Sequence, residues 1–150
     1  MIIAEYTEFM NIALEEARIA RAEGEVPIGA VLVSGGRPIA SAHNTVEKNC
    51  CASRHAELAV LEKGAEILKR RNLSDCILFS TLEPCAMCTG AILAFNIKMV
   101  VFGAYDEQFG CLFSKTDLPK LIGRSVKVIG GICEAEAKAL LNDFFSEHRN

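Results

Sequence analysis

The chain has 150 residues, 51% of them apolar, with a formal net charge of −3, seven cysteines and no tryptophan. That composition excludes a disordered tail or a basic nucleic-acid arm, and the length suits one domain, residues 1–150, able to bury about two thirds of its unfolded surface. No apolar run reaches the roughly 20 residues of a membrane span. The start "MIIAEYTEFM" lacks the basic region of a signal peptide, and an odd, scattered set of cysteines reads as reduced thiols in a cytoplasm.

From residue 7 to 23, Phe9, Met10, Ala13, Leu14, Ala17 and Ala20 recur at helical spacing, and Gly24 ends the helix. "IGAVLVS" (28–34) is apolar almost throughout and reads as a buried strand. Gly35-Gly36 is a two-residue hairpin turn into "RPIASAH" (37–43), where Pro38, lacking an N–H, predicts an edge strand. Residues 44–52 read as a polar loop. A helix is expected from Ser53 to about Arg71, burying Leu58, Leu61, Ile67 and Leu68, with Gly64 a costly residue inside it. A strand (76–81), a helix (85–96) and a strand (98–104) follow. After them come an irregular stretch with a helical piece at "DLPKLIG", a strand (126–131) and a last helix (133–147). This alternation predicts an α/β sandwich with helices on both sheet faces. The link 105–125 is far longer than a hairpin needs, so the last two strands are expected to be parallel.

Cys85 and Cys88 are three apart on one helix face, just after Pro84. Thiols at the positive end of a helix are favoured as thiolates, the form that binds metal. His55 heads another helix and is a candidate third ligand, because helix starts that follow strands gather at the carboxyl edge of an α/β sheet. Three ligands leave the fourth position of a zinc ion open, the mark of a catalytic site. Glu57, two residues from His55, is badly placed to chelate beside it. Its task on this reading is to take a proton from a water at the open position and return it to a leaving group. Two alternatives stand beside it: a structural site drawing on Cys50, Cys51 or Cys111, and cysteines serving only as small hydrophobes. The structural site would lack a second Cys-x-x-Cys and would leave Glu57 without a role. Cys76 and Cys133 read as packing residues.

His-x-Glu followed by Pro-Cys-x-x-Cys is the signature of zinc-dependent nucleobase deaminases. Beyond it, the chain resembles the bacterial tRNA-specific adenosine deaminases over nearly its whole length. The matching stretches are "GEVPIGAVLV" (24–33), "HN" (43–44), "HAEL" (55–58), "TLEPCAMCTGAI" (81–92), "VVFGAYD" (100–106) and "LLNDFF" (140–145). The resemblance implies a three-layer α/β/α cytidine-deaminase-like sandwich with a five-stranded mixed sheet, one Zn²⁺ per subunit and a homodimer. It implies conversion of the wobble adenosine of tRNA to inosine. By the same resemblance His55, Cys85 and Cys88 are the zinc ligands and Glu57 the proton shuttle. Asn44, Asp106, Phe144 and Phe145 become substrate contacts, although Asn44 also fits a turn residue and Phe144-Phe145 a core pair. The alternatives are a zinc deaminase of a free base, nucleoside or nucleotide (cytidine, deoxycytidylate or guanine), or a non-catalytic zinc-binding partner subunit.

Arg54 stands where such relatives have a small residue, and the tail "SEHRN", with His148 and Arg149, is less basic than theirs. Net charge opposes RNA binding, but its distribution matters more than its sum. Acids crowd the first helix (Glu5, Glu8, Glu15, Glu16, Glu23), while Lys48 and Arg54 flank the loop before His55 and are candidate phosphate contacts. The expected partner is a tRNA anticodon stem-loop, whose unpaired bases can be splayed out at low cost.

Overall fold

The computed structural model describes residues 2–148, so Arg149 lies outside the described residues. Helix α1 (Ile3–Ala22) begins a turn earlier than its apolar spacing predicts. The Glu5 carboxylate closes that turn by accepting the Ile2 amide at 2.9 Å, while Ile2 and Ile3 stay exposed. A turn held by a cap rather than by burial leaves no trace in hydrophobic periodicity.

Strand β1 (Gly29–Ser34) turns through Gly35 and Gly36, both at positive φ (59° and 75°), into β2 (Arg37–His43). Two consecutive left-handed residues match the twist of the flanking strands, which is why glycine occupies both positions. The register slips between Leu32 and Val33, so that Pro38 pairs with Val33 and Ala40 with Leu32. A bulge next to proline on an edge strand removes the need for its missing N–H.

The expected loop 44–52 contains a one-turn helix, α2 (Val46–Asn49). Its amides at Glu47 and Lys48 donate at 3.0 and 2.8 Å to the buried carboxylate of Glu25, a partner some twenty residues away. Helix α3 (Ala56–Leu68) is shorter at both ends than expected. It starts at the N-cap His55 and stops where Lys69 takes a left-handed conformation (φ 54°). Ile67, expected inside, is 51% exposed, because burial runs out after Gly64. Gly64 itself is a contact point: a Cβ there would lie 2.3 Å from Leu32 Cδ2, so α3 rests directly on β1.

Strand β3 (Cys76–Leu82) leads into α4 (Ala86–Ala94), β4 (Met99–Ala104), the short α5 (Leu118–Leu121), β5 (Lys127–Ile129) and α6 (Glu134–Glu147). β5 is shorter than its apolar stretch, since Gly130 passes so close to Phe102 and Tyr105 that a Cβ would lie 2.6–2.7 Å from their side chains. The sheet order is β2-β1-β3-β4-β5. β1 is antiparallel to β2 and β3, while β3, β4 and β5 run parallel, as the length of link 105–125 predicted. Alternate residues serve opposite faces: Val31, Val33, Phe79 and Val101 pack with α1 and α6, whereas Ala30, Leu32, Leu78 and Val100 pack with α3 and α4. The result is a three-layer α/β/α sandwich. The carboxyl ends of parallel β3 and β4 open at one edge, the usual ligand position in such sheets.

Candidate active site

Two helix starts meet at that edge. His55 is the N-cap of α3 and Cys85 the N-cap of α4, both with extended backbone, and Cys88 lies one turn into α4. His55 Nδ1 is 3.6 Å from the Sγ of Cys85 and 3.6 Å from the Sγ of Cys88. The three ligand atoms lie within 4.8 Å of one another. A tetrahedral zinc ion with ordinary Zn–N and Zn–S lengths needs nitrogen and sulfur about 3.6 Å apart, so the donor set fits by type and by spacing. The positive ends of α3 and α4 would also offset the charge of two thiolates.

These groups share protons in a way that favours a cation. Cys85 is held down to about 4, chiefly by the hydrogen bond from Cys88, against the opposing effect of burial. Cys88 is pushed up by the same hydrogen bond and by burial. The hydrogen bond with Cys85 raises His55 above its usual value, with burial opposing. A divalent cation held by both sulfurs would displace the proton that Cys88 otherwise keeps.

Glu57 lies in the first turn of α3, 4% exposed, and lines the same cleft as His55 and Cys85. Its Oε1 has no hydrogen-bond partner among the described residues. Burial pushes its pKa up to about 7. A buried carboxylate oxygen without a partner is costly and rare, and one that titrates near neutrality is suited to carrying protons.

The cleft above has a volume of about 1380 Å³. Besides His55, Glu57 and Cys85 it is lined by Val26 and Ile28, by Leu82 and Glu83 at the end of β3, by the segment 104–109 with Phe113 and Ser114, and by Glu134, Lys138, Leu141, Asn142 and Phe145 of α6. Of the residues expected to contact substrate, Asp106 and Phe145 reach it. Asp106 also accepts the amides of Gln108 and Phe109 at 3.1 Å, which shapes the loop it sits on. Phe144 does not reach the cleft. It is 7% exposed, stacked on His148 at 4.1 Å, and shares the inner face of α6 with Ala137 two turns earlier. Asn44 is 6% exposed and not part of the lining; its side chain pairs with Val26 O at 3.4 Å and the Val46 amide at 3.3 Å. Lys48 and Arg54 are exposed outside the cleft, in loose ion pairs with Glu23 (3.8 Å) and Glu62 (4.0 Å).

Glu83 carries no role in the sequence reading, yet its buried carboxylate gathers four main-chain amides from the segment 106–114. Burial opposes its ionisation, but these bonds and the Ser114 hydroxyl outweigh that and hold its pKa below the usual carboxylate value. Its place between a strand and Pro84 was visible in "TLEPC". Its partners were not, because main-chain amides carry no residue type.

Residues 4–104 match the model of the cytidine and deoxycytidylate deaminase zinc-binding region. The chain is 39% identical over 143 residues to the tRNA-specific adenosine deaminase of Bacillus subtilis, covering 94% of this chain and 89% of that one. It is also 39% identical to the enzyme of the same name from Aquifex aeolicus, over 95% of each. Among solved structures it superposes, at a TM-score of 0.83 and 36% identity, on one from a study of A-to-I editing by tRNA:A34 deaminases, covering 90% of this chain and 99% of that one. It also superposes on the guanine deaminase of Nitrosomonas europaea, at 0.81 and 26% identity, over 93% and 84%.

Proposed function

The chain belongs to the zinc-dependent cytidine and deoxycytidylate deaminase family, in its tRNA-specific adenosine deaminase branch, and from that premise we propose that it hydrolyses the wobble adenosine of a tRNA to inosine and ammonia. The observation that carries the reading is the unpartnered Oε1 of Glu57, buried beside three donors spaced for one tetrahedral ion. His55, Cys85 and Cys88 would hold the zinc. When bound, zinc supplies a Lewis acid that brings the pKa of a water toward ~7. Glu57 then has both halves of the proton traffic. Its carboxylate takes a proton from the attacking water, and the resulting acid protonates the ring as the water oxygen adds at C6. A second proton passes through Glu57 to the amine, which leaves as ammonia when the C6–N bond breaks.

The cleft favours a base presented by a larger molecule. Its volume of about 1380 Å³ exceeds the ~300–1,000 Å³ that usually encloses a small ligand. Asp106 and Phe145 both line it, a carboxylate able to hydrogen-bond and a ring able to stack on a nucleotide. Lys48 and Arg54, in exposed ion pairs that contribute little to stability, are free to exchange their partners for phosphates. The protein acts as a homodimer in the cytoplasm, where its tRNA substrate is. Met87, Leu121 and Ile122 are 39%, 71% and 58% exposed, apolar area that a second copy would cover. No described helix is long and apolar enough to cross a membrane.

The test is a substrate panel: an anticodon stem-loop with adenosine at the wobble position, beside free adenosine, cytidine, deoxycytidylate and guanine. Inosine in the stem-loop alone is expected. The likeness to a guanine deaminase makes free guanine the main competitor, and turnover of any free base or nucleoside without reaction on the stem-loop would reject RNA as substrate. A non-catalytic partner subunit would show no turnover at all, and the intact Glu57 argues against it.

A further inference from the structure

We propose that Glu83 is a positioning residue for substrate, holding the segment 105–114 in place as one wall of the cleft; the inference rests on the reading of that cleft as the adenosine site. Glu83 directly follows β3 and is 1% exposed. Its Oε2 accepts the amides of Leu112, Phe113 and Ser114 at 3.3, 2.9 and 2.8 Å. Its Oε1 accepts the Asp106 amide at 3.1 Å and the Ser114 hydroxyl. One carboxylate therefore ties both ends of the segment to the strand that leads into Cys85.

A second feature points the same way. A Cβ on Gly110 would lie 2.3 Å from Glu83 Cδ and 2.5 Å from Asp106 O, so the loop is wrapped against the carboxylate with no room for a side chain. The segment has no regular secondary structure beyond its turns. Seven of its residues line the cleft, the aromatic Tyr105, Phe109 and Phe113 and the polar Asp106, Glu107, Gln108 and Ser114, a mixture suited to a nucleotide. Glu83 is absent from the zinc-donor set and makes no bond to any of its members. Glu83 also borders the cleft, but its two oxygens are taken up by the five hydrogen bonds from this segment, so it acts through where these side chains sit.

Glu83→Gln tests this with little change in volume. Either orientation of the amide points an NH₂ at backbone N–H donors, so at least one end of the loop loses its acceptor. Zinc should stay at one per chain. Hydrogen exchange should accelerate at amides 106–114, with 55–58 and 85–88 still protected. On the stem-loop KM should rise about tenfold while kcat changes less than about threefold, as expected when binding geometry rather than chemistry is disturbed. Unchanged exchange at 106–114, or a loss confined to kcat or to zinc content, would overturn the proposal. Failure of the RNA reading shows separately, as a wild type inert on the stem-loop; KM is then read on whichever member of the panel the wild type turns over. Should Glu83→Gln fail to fold, Ser114→Ala removes one donor to the same carboxylate, and a KM unchanged in that variant rejects the proposal.

Discussion

At the scale of single residues, the proposed function separates holding a metal from moving a proton. His55, Cys85 and Cys88 bring their donor atoms within 4.8 Å of one another, while Glu57 keeps an oxygen without a partner. Glu57→Gln should therefore retain one zinc per chain by elemental analysis while kcat falls by about 10²–10⁴, the usual contribution of a positioned acid–base group. A zinc-loaded Glu57→Gln with near wild-type kcat would remove Glu57 from the mechanism. Cys88→Ala should lose zinc, and its unfolding temperature should no longer drop when a chelator is added, because the stabilisation that ligand binding gives the folded state has gone. The meeting of these four residues was legible in the sequence because zinc chemistry restricts residue type and spacing together. Glu83 and Glu25 were not legible. Each is buried to 1% exposure and meets main-chain amides distant in the chain, and nothing about a lone glutamate announces such partners.

At the scale of elements, the joint between α1 and the edge strand β2 is ionic. His43 at the end of β2 lies between two carboxylates, Glu16 of α1 and Glu23 at its C-terminal cap, with Nδ1 2.6 Å from Glu16 and Nε2 2.8 Å from Glu23. Burial disfavours its charged form, but the two glutamates outweigh that and raise its pKa above 6.5. A raised folded-state pKa means that the proton is bound more tightly in the folded chain than in the unfolded one. The stabilisation is complete below the unfolded value and disappears as pH rises through the folded one. Urea unfolding followed from pH 6 upward should show that loss, and His43→Asn should flatten it; an equal slope in both proteins would assign the effect elsewhere. The hairpin β1-β2 was legible because Gly35-Gly36 encodes its turn locally. The first turn of α1, the helix α2 and the exposure of Ile67 depend on caps and on distant segments rather than on apolar spacing, so periodicity missed them. Gly29 belongs with these: a Cβ there would sit 2.0 Å from the Ala13 carbonyl oxygen, where α1 touches the sheet backbone. Gly29→Ala should destabilise the fold by about 1–3 kcal/mol in denaturant titrations, since the obstacle is main chain that cannot rotate away.

At the scale of the whole molecule, the order of the sheet decides where chemistry can sit. The length of link 105–125 predicted parallel β4 and β5, and β3 joins them, so β3 and β4 end at one edge and deliver Glu83, Cys85 and Asp106 to it. That edge was foreseeable from the alternation of elements; the shape of the loop that walls it was not, because Glu83 sets it from outside the loop. Charge poses the remaining question, since on the proposed function a chain of net −3 has to hold an RNA. Several acids of the first helix and its cap are already engaged: Glu16 and Glu23 with His43, and Glu15 with Arg18. Lys48 and Arg54 stand exposed in the segment that leads into His55, in loose ion pairs at 3.8 and 4.0 Å, while Lys138 lies on the cleft itself. If phosphates replace the glutamate partners, binding releases counterions, and the affinity of a stem-loop should fall steeply between about 50 and 200 mM salt. Lys48→Ala with Arg54→Ala should weaken stem-loops of every sequence alike. The pair should also lower the slope of log affinity against log salt by about 0.7–0.9 for each phosphate no longer neutralised. An unchanged slope would place the phosphates elsewhere, and Lys138→Ala would then be the variant to measure, since no other lysine or arginine lines the cleft among the described residues.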